Sequence, residues 1–144
     1  MNIGKGCGIV LLVGALGLGL IGYCGYTMVA SLKAEMPIIE GEVKVVVGRF
    51  NAEEFAAIYK DADAQLQAGI SEVDFVKKMK DIKVQFDELI LGPQVGFNMN
   101  TVNGDTTLTC SYDVSKDASK RTAVFTFHKT DAWRLLGLNI QQSL

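Results

Sequence analysis

The first apolar stretch of the chain is a long run that no charged side chain interrupts. Charged residues are absent between Lys5 and Lys33, which leaves 27 uncharged residues at positions 6–32. A helix rises about 1.5 Å per residue, so this run would cover roughly 40 Å, enough to cross a hydrocarbon core of about 30 Å. The run predicts a transmembrane helix. We therefore expect residues 1–35 to form the cytoplasmic N-terminus and anchor, and residues 36–144 to form one extracytoplasmic domain.

Two alternatives to an uncleaved anchor stay open. A cleaved signal peptide has an apolar region of only about 7–15 residues and a small-x-small cleavage site, whereas this run is longer and offers only Met28 and Ala30 as such a pair. A lipoprotein would use Cys24 as its lipidated residue, but Tyr23 occupies the preceding position, where a small residue is expected. Both features favour the uncleaved helix.

The residues that flank the run predict its orientation. Lys5 and the α-amino group lie before it, whereas Lys33 is followed closely by Glu35. The positive-inside rule then places the N-terminus in the cytoplasm and the domain in the periplasm or outside, attached to the inner (plasma) membrane by one pass. Glycines within the run, with Ala15 and Gly19 four residues apart, leave room for a second helix, so the anchor is a candidate site of homo-oligomer formation.

Apolar positions then recur with helical spacing and predict three helices. The first starts with Pro37 in its first turn and carries an apolar stripe that ends at Phe50, although its valines also fit a strand. The second begins at the N-cap Asn51 and ends near Gly69. The third begins at the N-cap Ser71, has an apolar position at every third or fourth residue, and stops at Gly92-Pro93.

After residue 93 the spacing changes to two, which predicts strands. Four stretches alternate apolar with polar residues, and Asn103-Gly104 is a strong signal for a tight hairpin between the first two. The predicted strands are 95–101, 107–114, 122–128 and 132–140. Three helices followed by an antiparallel meander define an α+β domain with the helices packed on one side of the sheet.

Charge and cysteine content exclude two classes of protein. Beyond residue 30 the chain has 13 basic and 16 acidic side chains, a formal charge of −3, which lacks the basic surface that nucleic-acid binding needs. Cys110 is the only cysteine in the predicted domain, so no internal disulfide framework supports it.

Few residues suggest chemistry, and none of them forms a recognisable catalytic set. His128 is the only histidine, which excludes paired-histidine metal sites, and its place at a strand end beside a turn predicts a surface side chain. Cys110 alternates with apolar residues and is expected to be a buried, inert thiol. Asp113 is the one carboxylate within a predicted strand, and Trp133 begins the last strand. We take Asp113, His128 and Trp133 as candidate ligand or partner contacts, with no cofactor and no metal.

The C-terminal half resembles a known group of proteins. The segments Tyr112-x-Val114, Ala123–Phe127 and Trp133-Arg134-Leu135-Leu136-Gly137, with Phe55-x-x-Ile58-Tyr59 upstream, resemble uncharacterised bacterial envelope proteins of the cystatin-like superfamily, which includes nuclear transport factor two and ketosteroid isomerase. The resemblance covers residues 40–142. It implies a cone-shaped domain whose curved antiparallel sheet of about four strands wraps around a helix and leaves a cavity or a broad sheet face.

The resemblance does not fix a function, because this fold hosts isomerases, adaptors and secretion-system subunits. The sequence favours a non-enzymatic, membrane-anchored envelope protein that binds a protein partner or small ligand through its sheet or cavity. Three alternatives remain: a structural subunit of a secretion or envelope assembly, a periplasmic factor that neutralises a toxin, and a small lyase or isomerase.

Overall fold

The computed structural model describes residues 17–114 and 120–142 and has an α+β fold. The chain divides into two compact units, one ending at Gly41 and the other beginning at Glu42; the sheet and the candidate site belong to the second. The described elements are the helices α1 (Gly17–Asn51), α2 (Phe55–Asp61), α3 (Ala64–Gly69) and α4 (Glu72–Gln85), and the strands β1 (Gln94–Val102), β2 (Asp105–Asp113), β3 (Arg121–Lys129) and β4 (Trp133–Gln142).

The first helix begins much earlier than the spacing predicts. Pro37 was expected in a first turn, but it lies inside α1, which is already helical from Gly17. A proline inside a helix removes one backbone hydrogen bond, and α1 continues through it to Asn51. Residues 1–16 of the predicted anchor lie outside the described residues, and within the described part no helix is both apolar and long enough to cross a bilayer. The anchor remains a prediction.

The second predicted helix is two short helices in the structure. Asn51 was expected to cap it, but Asn51 is the last residue of α1. The chain breaks again at Asp63, whose side chain accepts a hydrogen bond of 2.8 Å from the backbone N–H of Gln65 and so caps α3. Aspartate favours caps because its carboxylate binds a free N–H of the first turn. The helical spacing alone does not reveal this interruption.

The third predicted helix starts at its predicted cap and ends early. The hydroxyl of Ser71 accepts a hydrogen bond of 3.1 Å from the backbone N–H of Asp74, which confirms the capping signal. The helix ends at Gln85 rather than near Gly92, because Phe86 has extended backbone angles. Phe86 and Leu89 are nevertheless buried, so an irregular segment supplies the apolar positions that had suggested two more turns of helix.

The sheet confirms the predicted meander, with strand order β1-β2-β3-β4 and all neighbours antiparallel. Asn103 and Gly104 both have positive φ, 53° and 89°, as a two-residue hairpin turn requires. One face of β2 and β3 is buried against the core, as the alternation predicted. Its buried residues are Leu108, Cys110, Tyr112, Ala123, Phe125 and Phe127.

The helices of the second unit supply the other half of the core. Their buried side chains are Val43, Val46, Phe50, Phe55, Ile58, Leu66, Phe75 and Met79. Phe50 and Phe55 meet edge to face with ring centroids 5.6 Å apart, a geometry that aromatic pairs prefer. This packing covers β2, β3 and β4 but leaves β1 largely exposed.

Candidate functional site

The strand β1 presents an uncharged, apolar surface to solvent. We call Gln94–Val102 the β1 surface; it contains no charged side chain. Val95 is 58% exposed, Phe97 38% and Val102 55%. Phe97 and Val102 lie on opposite faces of the strand, so apolar side chains are exposed on both; single exposed apolar residues are common on proteins, whereas exposed apolar residues close together favour a contact site.

The β1 surface continues the core face of the sheet. Phe97 stands opposite Cys110 and Met99 stands opposite Leu108, and both β2 residues are fully buried. Residues directly opposite each other in an antiparallel pair lie on the same face. Phe97 and Met99 therefore lie on the face that the helices cover elsewhere, at a strand where that cover ends.

The outer edge of β1 also presents unused backbone groups. In a hairpin with a two-residue turn, the residues that flank the turn, here Val102 and Asp105, form a hydrogen-bonded pair. Such pairs recur at every second residue of an antiparallel ladder, so Asn98 and Asn100 also direct their N–H and C=O groups toward β2. Phe97 and Met99, which alternate with them, direct their N–H and C=O groups outward. Within residues 17–114 and 120–142, the only backbone hydrogen bonds of this stretch are those of the β2 ladder.

The opposite edge of the sheet differs, because another part of the chain covers it in part. On β4, the carbonyl of Leu135 accepts a hydrogen bond of 2.9 Å from the backbone N–H of Asp63, and α3 packs beside the same strand. Proteins usually protect edge strands with charges, prolines or such cover. β1 carries a β-bulge between Gln94 and Gly96, but among residues 17–114 and 120–142 no chain segment hydrogen-bonds to the outer edge of the strand beyond it.

His128 is buried, which corrects the expectation of a surface histidine. Its Nδ1 lies 2.8 Å from Oδ2 of Asp63, and its Nε2 lies 3.9 Å from Oδ1 of the exposed Asp105. The other oxygen of Asp63 caps α3. His128 thus joins β3 to the junction between α2 and α3, a long-range contact that no local sequence signal predicts.

Trp133 is 5% exposed and begins β4. Lys129 places its Nζ 5.4 Å from the centre of the indole ring, a cation–π contact. Trp133 lines a surface cleft of about 390 Å³ together with Arg49, Asp61 and Arg134, among others. Since Arg49 pairs with Asp61 at 2.6 Å, two of the charged groups of this cleft are bound to each other.

Asp113 lies at the other end of the sheet. Its backbone holds the segment before β1, because its carbonyl accepts a hydrogen bond of 2.7 Å from Gly92 and its N–H donates one of 3.0 Å to Pro93. The residue lines a second cleft of about 370 Å³ with Asp87 and Glu88. No group of three potential metal ligands occurs in the described parts of the chain.

The three candidate residues do not form one site. Asp113 pairs with Thr122, whereas His128 pairs with Thr107, so the two positions are offset by six residues along β2. At about 3.3 Å per residue this distance is roughly 20 Å. His128 and Trp133 lie at the same end of the sheet, since their strand partners are the neighbours Arg134 and Lys129.

The thiol of Cys110 is inaccessible, as the sequence predicted. The side chain is fully buried, and burial raises the pKa of the thiol from 9.0 to about 11. The thiolate is the reactive form of cysteine, so burial and the raised pKa both disfavour reaction of this thiol in the folded protein.

Sequence reasoning missed the β1 surface as a site, although its signal is present. The stretch from Gln94 to Val102 is the one predicted strand without an ionisable residue, and it has an apolar alternation that the helices do not use. Neither the known protein-family models nor the curated proteins include one that matches this chain. The β1 surface is therefore assigned from its geometry alone.

Proposed function

We propose that this chain is a single-pass membrane protein that binds a protein partner without catalysis, through the β1 surface of a cone-shaped, cystatin-like domain outside the cytoplasm. The observation that carries the proposal is the combination of exposed Val95, Phe97 and Val102 with a strand edge that no segment of residues 17–114 and 120–142 covers. The uncharged run at positions 6–32 supports the anchor. The resemblance to envelope proteins supports the location.

A bound protein partner would cover the exposed apolar side chains of the β1 surface and hydrogen-bond to its outward backbone groups. Covering apolar surface contributes about 25 cal/mol per Å², and a partner strand would satisfy the outward N–H and C=O groups of Phe97 and Met99. A small ligand would do so less well, because the exposed residues follow a strand rather than line a deep cavity. The surface thus favours an extended protein segment.

The state of the polar residues supports a non-enzymatic role. Asp63 and His128 are both buried and bond to each other, and the same carboxylate caps α3. A general base must reach a substrate within hydrogen-bond distance, whereas here both groups hold the α2–α3 junction against the sheet. Cys110 is likewise enclosed in the core.

Cysteine labelling tests location and partner binding together. In a chain with Cys7→Ser and Cys24→Ser, the buried Cys110 does not react, so Val95→Cys or Val84→Cys adds the only reactive thiol of the domain. Val84 is 87% exposed on α4 and provides the matched control. A membrane-impermeant maleimide is applied to spheroplasts, to isolated membranes and to the same chain diluted in mild detergent.

We expect the control at position 84 to be labelled from outside in intact spheroplasts. Position 95 should be labelled several-fold more slowly than position 84 in membranes, and at a similar rate after dilution. Labelling of position 84 only after lysis would contradict the location. Equal labelling of both positions in membranes would contradict partner binding at β1.

A further inference from the structure

We infer that the partner at the β1 surface is a second copy of this chain, whose β1 pairs antiparallel with the first around a two-fold axis through Asn98. The inference rests on the proposed function, because it names the partner of the same surface. The pairing would join two four-stranded sheets into one of eight strands. Its support comes from charge, from side-chain pattern and from backbone geometry.

The charge pattern allows the strand to pair with itself. An acidic or basic edge strand would repel its own copy, but β1 has no charged residue. The nearest charges on β2 are Asp105 and Asp113, at its two ends. In the pair, three strand spacings, about 14 Å, separate each β2 from the partner's β2, which is beyond the range of strong repulsion at physiological salt.

The side-chain pattern is complementary to itself. With the axis through Asn98, Phe97 of each copy stands opposite the partner's Met99. Phe97 and Met99 belong to the face that is apolar elsewhere in the sheet. On the other face Asn98 stands opposite the partner's Asn98, where two amides can hydrogen-bond. At these central positions each side chain thus meets a neighbour of matching character.

The backbone geometry fits the same register. Phe97 and Met99 direct their N–H and C=O groups outward, so they form hydrogen-bonded pairs with the partner's Met99 and the partner's Phe97. Asn98 directs its groups toward β2, so the pair of Asn98 residues is the non-hydrogen-bonded type, with Cα atoms about 4.5 Å apart. The stretch from Phe97 to Met99 lies beyond the bulge between Gln94 and Gly96, so its register with β2 is regular.

The symmetry of the pair and attachment to a membrane both favour association of two copies. A two-fold axis that relates antiparallel neighbours in a sheet is perpendicular to that sheet, so the helices packed on the two halves lie on the same face. Attachment to a bilayer confines both copies to a thin layer and raises their effective concentration. In a two-fold pair each β1 covers the open edge of the other, so no further strand can add at that edge.

Disulfide cross-linking of the full chain tests the register. Asn98→Cys and Asn100→Cys are made separately in the chain with Cys7→Ser and Cys24→Ser, and membranes are treated with copper phenanthroline. Two cysteines at position 98 lie within the Cα range of 4.4–6.8 Å that a disulfide accepts. Two cysteines at position 100 are offset by four residues, about 13 Å along the strands, so this variant is the matched control.

We expect a covalent dimer for Asn98→Cys that exceeds the dimer of Asn100→Cys at least tenfold. Mass spectrometry of the cross-linked species should identify two copies of this chain. The inference is overturned if position 98 gives no more dimer than position 100. If position 98 gives no excess of dimer but Val95→Cys is still labelled slowly in membranes, the proposed function stands and a different protein covers the surface. If Val95→Cys is also labelled as fast as Val84→Cys, both proposals are wrong.

Discussion

The side-chain amide of Asn51 makes two hydrogen bonds with the backbone of Leu89, as a paired strand residue would. Its Nδ2 donates to the carbonyl of Leu89 at 3.0 Å, and its Oδ1 accepts from the N–H of Leu89 at 2.8 Å. Asn51 ends α1, and Leu89 is a buried residue of the irregular segment before β1. The pair therefore fixes the segment that leads to the β1 surface.

Replacing Asn51 with alanine should destabilise the domain substantially. Both backbone groups of Leu89 would lose their partner in a buried setting, where each unsatisfied group costs about 1–3 kcal/mol. We expect a loss of roughly 2–4 kcal/mol in the free energy of unfolding, measured by urea titration of the full chain in mild detergent. Asn139→Ala, at an exposed position of β4, should change it by less than about 0.5 kcal/mol. Equal unfolding midpoints for the two variants would contradict this role of Asn51.

The sheet could be predicted from the sequence because its signals are local. The alternation of apolar residues, the Asn103-Gly104 turn and the breaks between strands all lie within a few residues of the structure they specify. The four strands and their antiparallel order are confirmed, with boundaries shifted by one or two residues. Ser71 as a helix cap is confirmed for the same reason.

The errors in the helical half arise from long-range contacts. Asn51 resembles an N-cap in sequence, yet its amide binds Leu89, which is 38 residues away. His128 was expected on the surface, and its contact with Asp63 spans 65 residues. The β1 surface was missed because alternation predicts a strand but does not predict which strand the helices leave uncovered.

The Asp63–His128 pair should contribute more to stability than the exposed pair of Arg49 and Asp61. Asp63→Ala removes the partner of a buried histidine and the cap of α3 together, so we expect a loss of about 2–4 kcal/mol. Asp63→Asn retains a cap and should cost less. Asp61→Asn affects an exposed ion pair and should cost below about 1 kcal/mol. Urea unfolding that ranks Asp61→Asn with Asp63→Ala would refute this ordering.

The buried thiol of Cys110 predicts a loss of stability at alkaline pH. Its pKa is raised to about 11 in the folded protein, so the folded state holds the proton more tightly than the unfolded state does. The stability that the protonated, buried thiol contributes to the folded state is fully present below pH 9 and is lost as the pH rises from 9 toward 11. The pKa difference corresponds to roughly 1–3 kcal/mol. Between pH 9 and pH 11, the free energy of unfolding of the wild type should therefore fall by roughly 1–3 kcal/mol more than that of Cys110→Ala. If the two proteins lose stability in parallel as the pH rises, the prediction is wrong.

Two glycine-to-alanine substitutions should have opposite effects. Gly104 has a φ of 89° in the hairpin turn, where a Cβ is strained, so Gly104→Ala should cost about 1–2 kcal/mol. Gly48 lies in α1 with no atom within 4 Å of the place a Cβ would occupy. Gly48→Ala should therefore stabilise the protein by about 0.5–1 kcal/mol. Thermal unfolding of both variants checks the two signs.

Hydrogen exchange at the amides of β1 tests most directly whether a partner strand covers this edge. In the full chain, the amides of Asn98 and Asn100 are protected by β2 under all conditions, so they are internal references for those of Phe97, Met99 and Thr101. If a partner strand pairs with β1, this second group should exchange at least tenfold more slowly in lipid membranes than in dilute detergent, while the references stay unchanged. Fast exchange at Phe97, Met99 and Thr101 in both conditions would contradict the account.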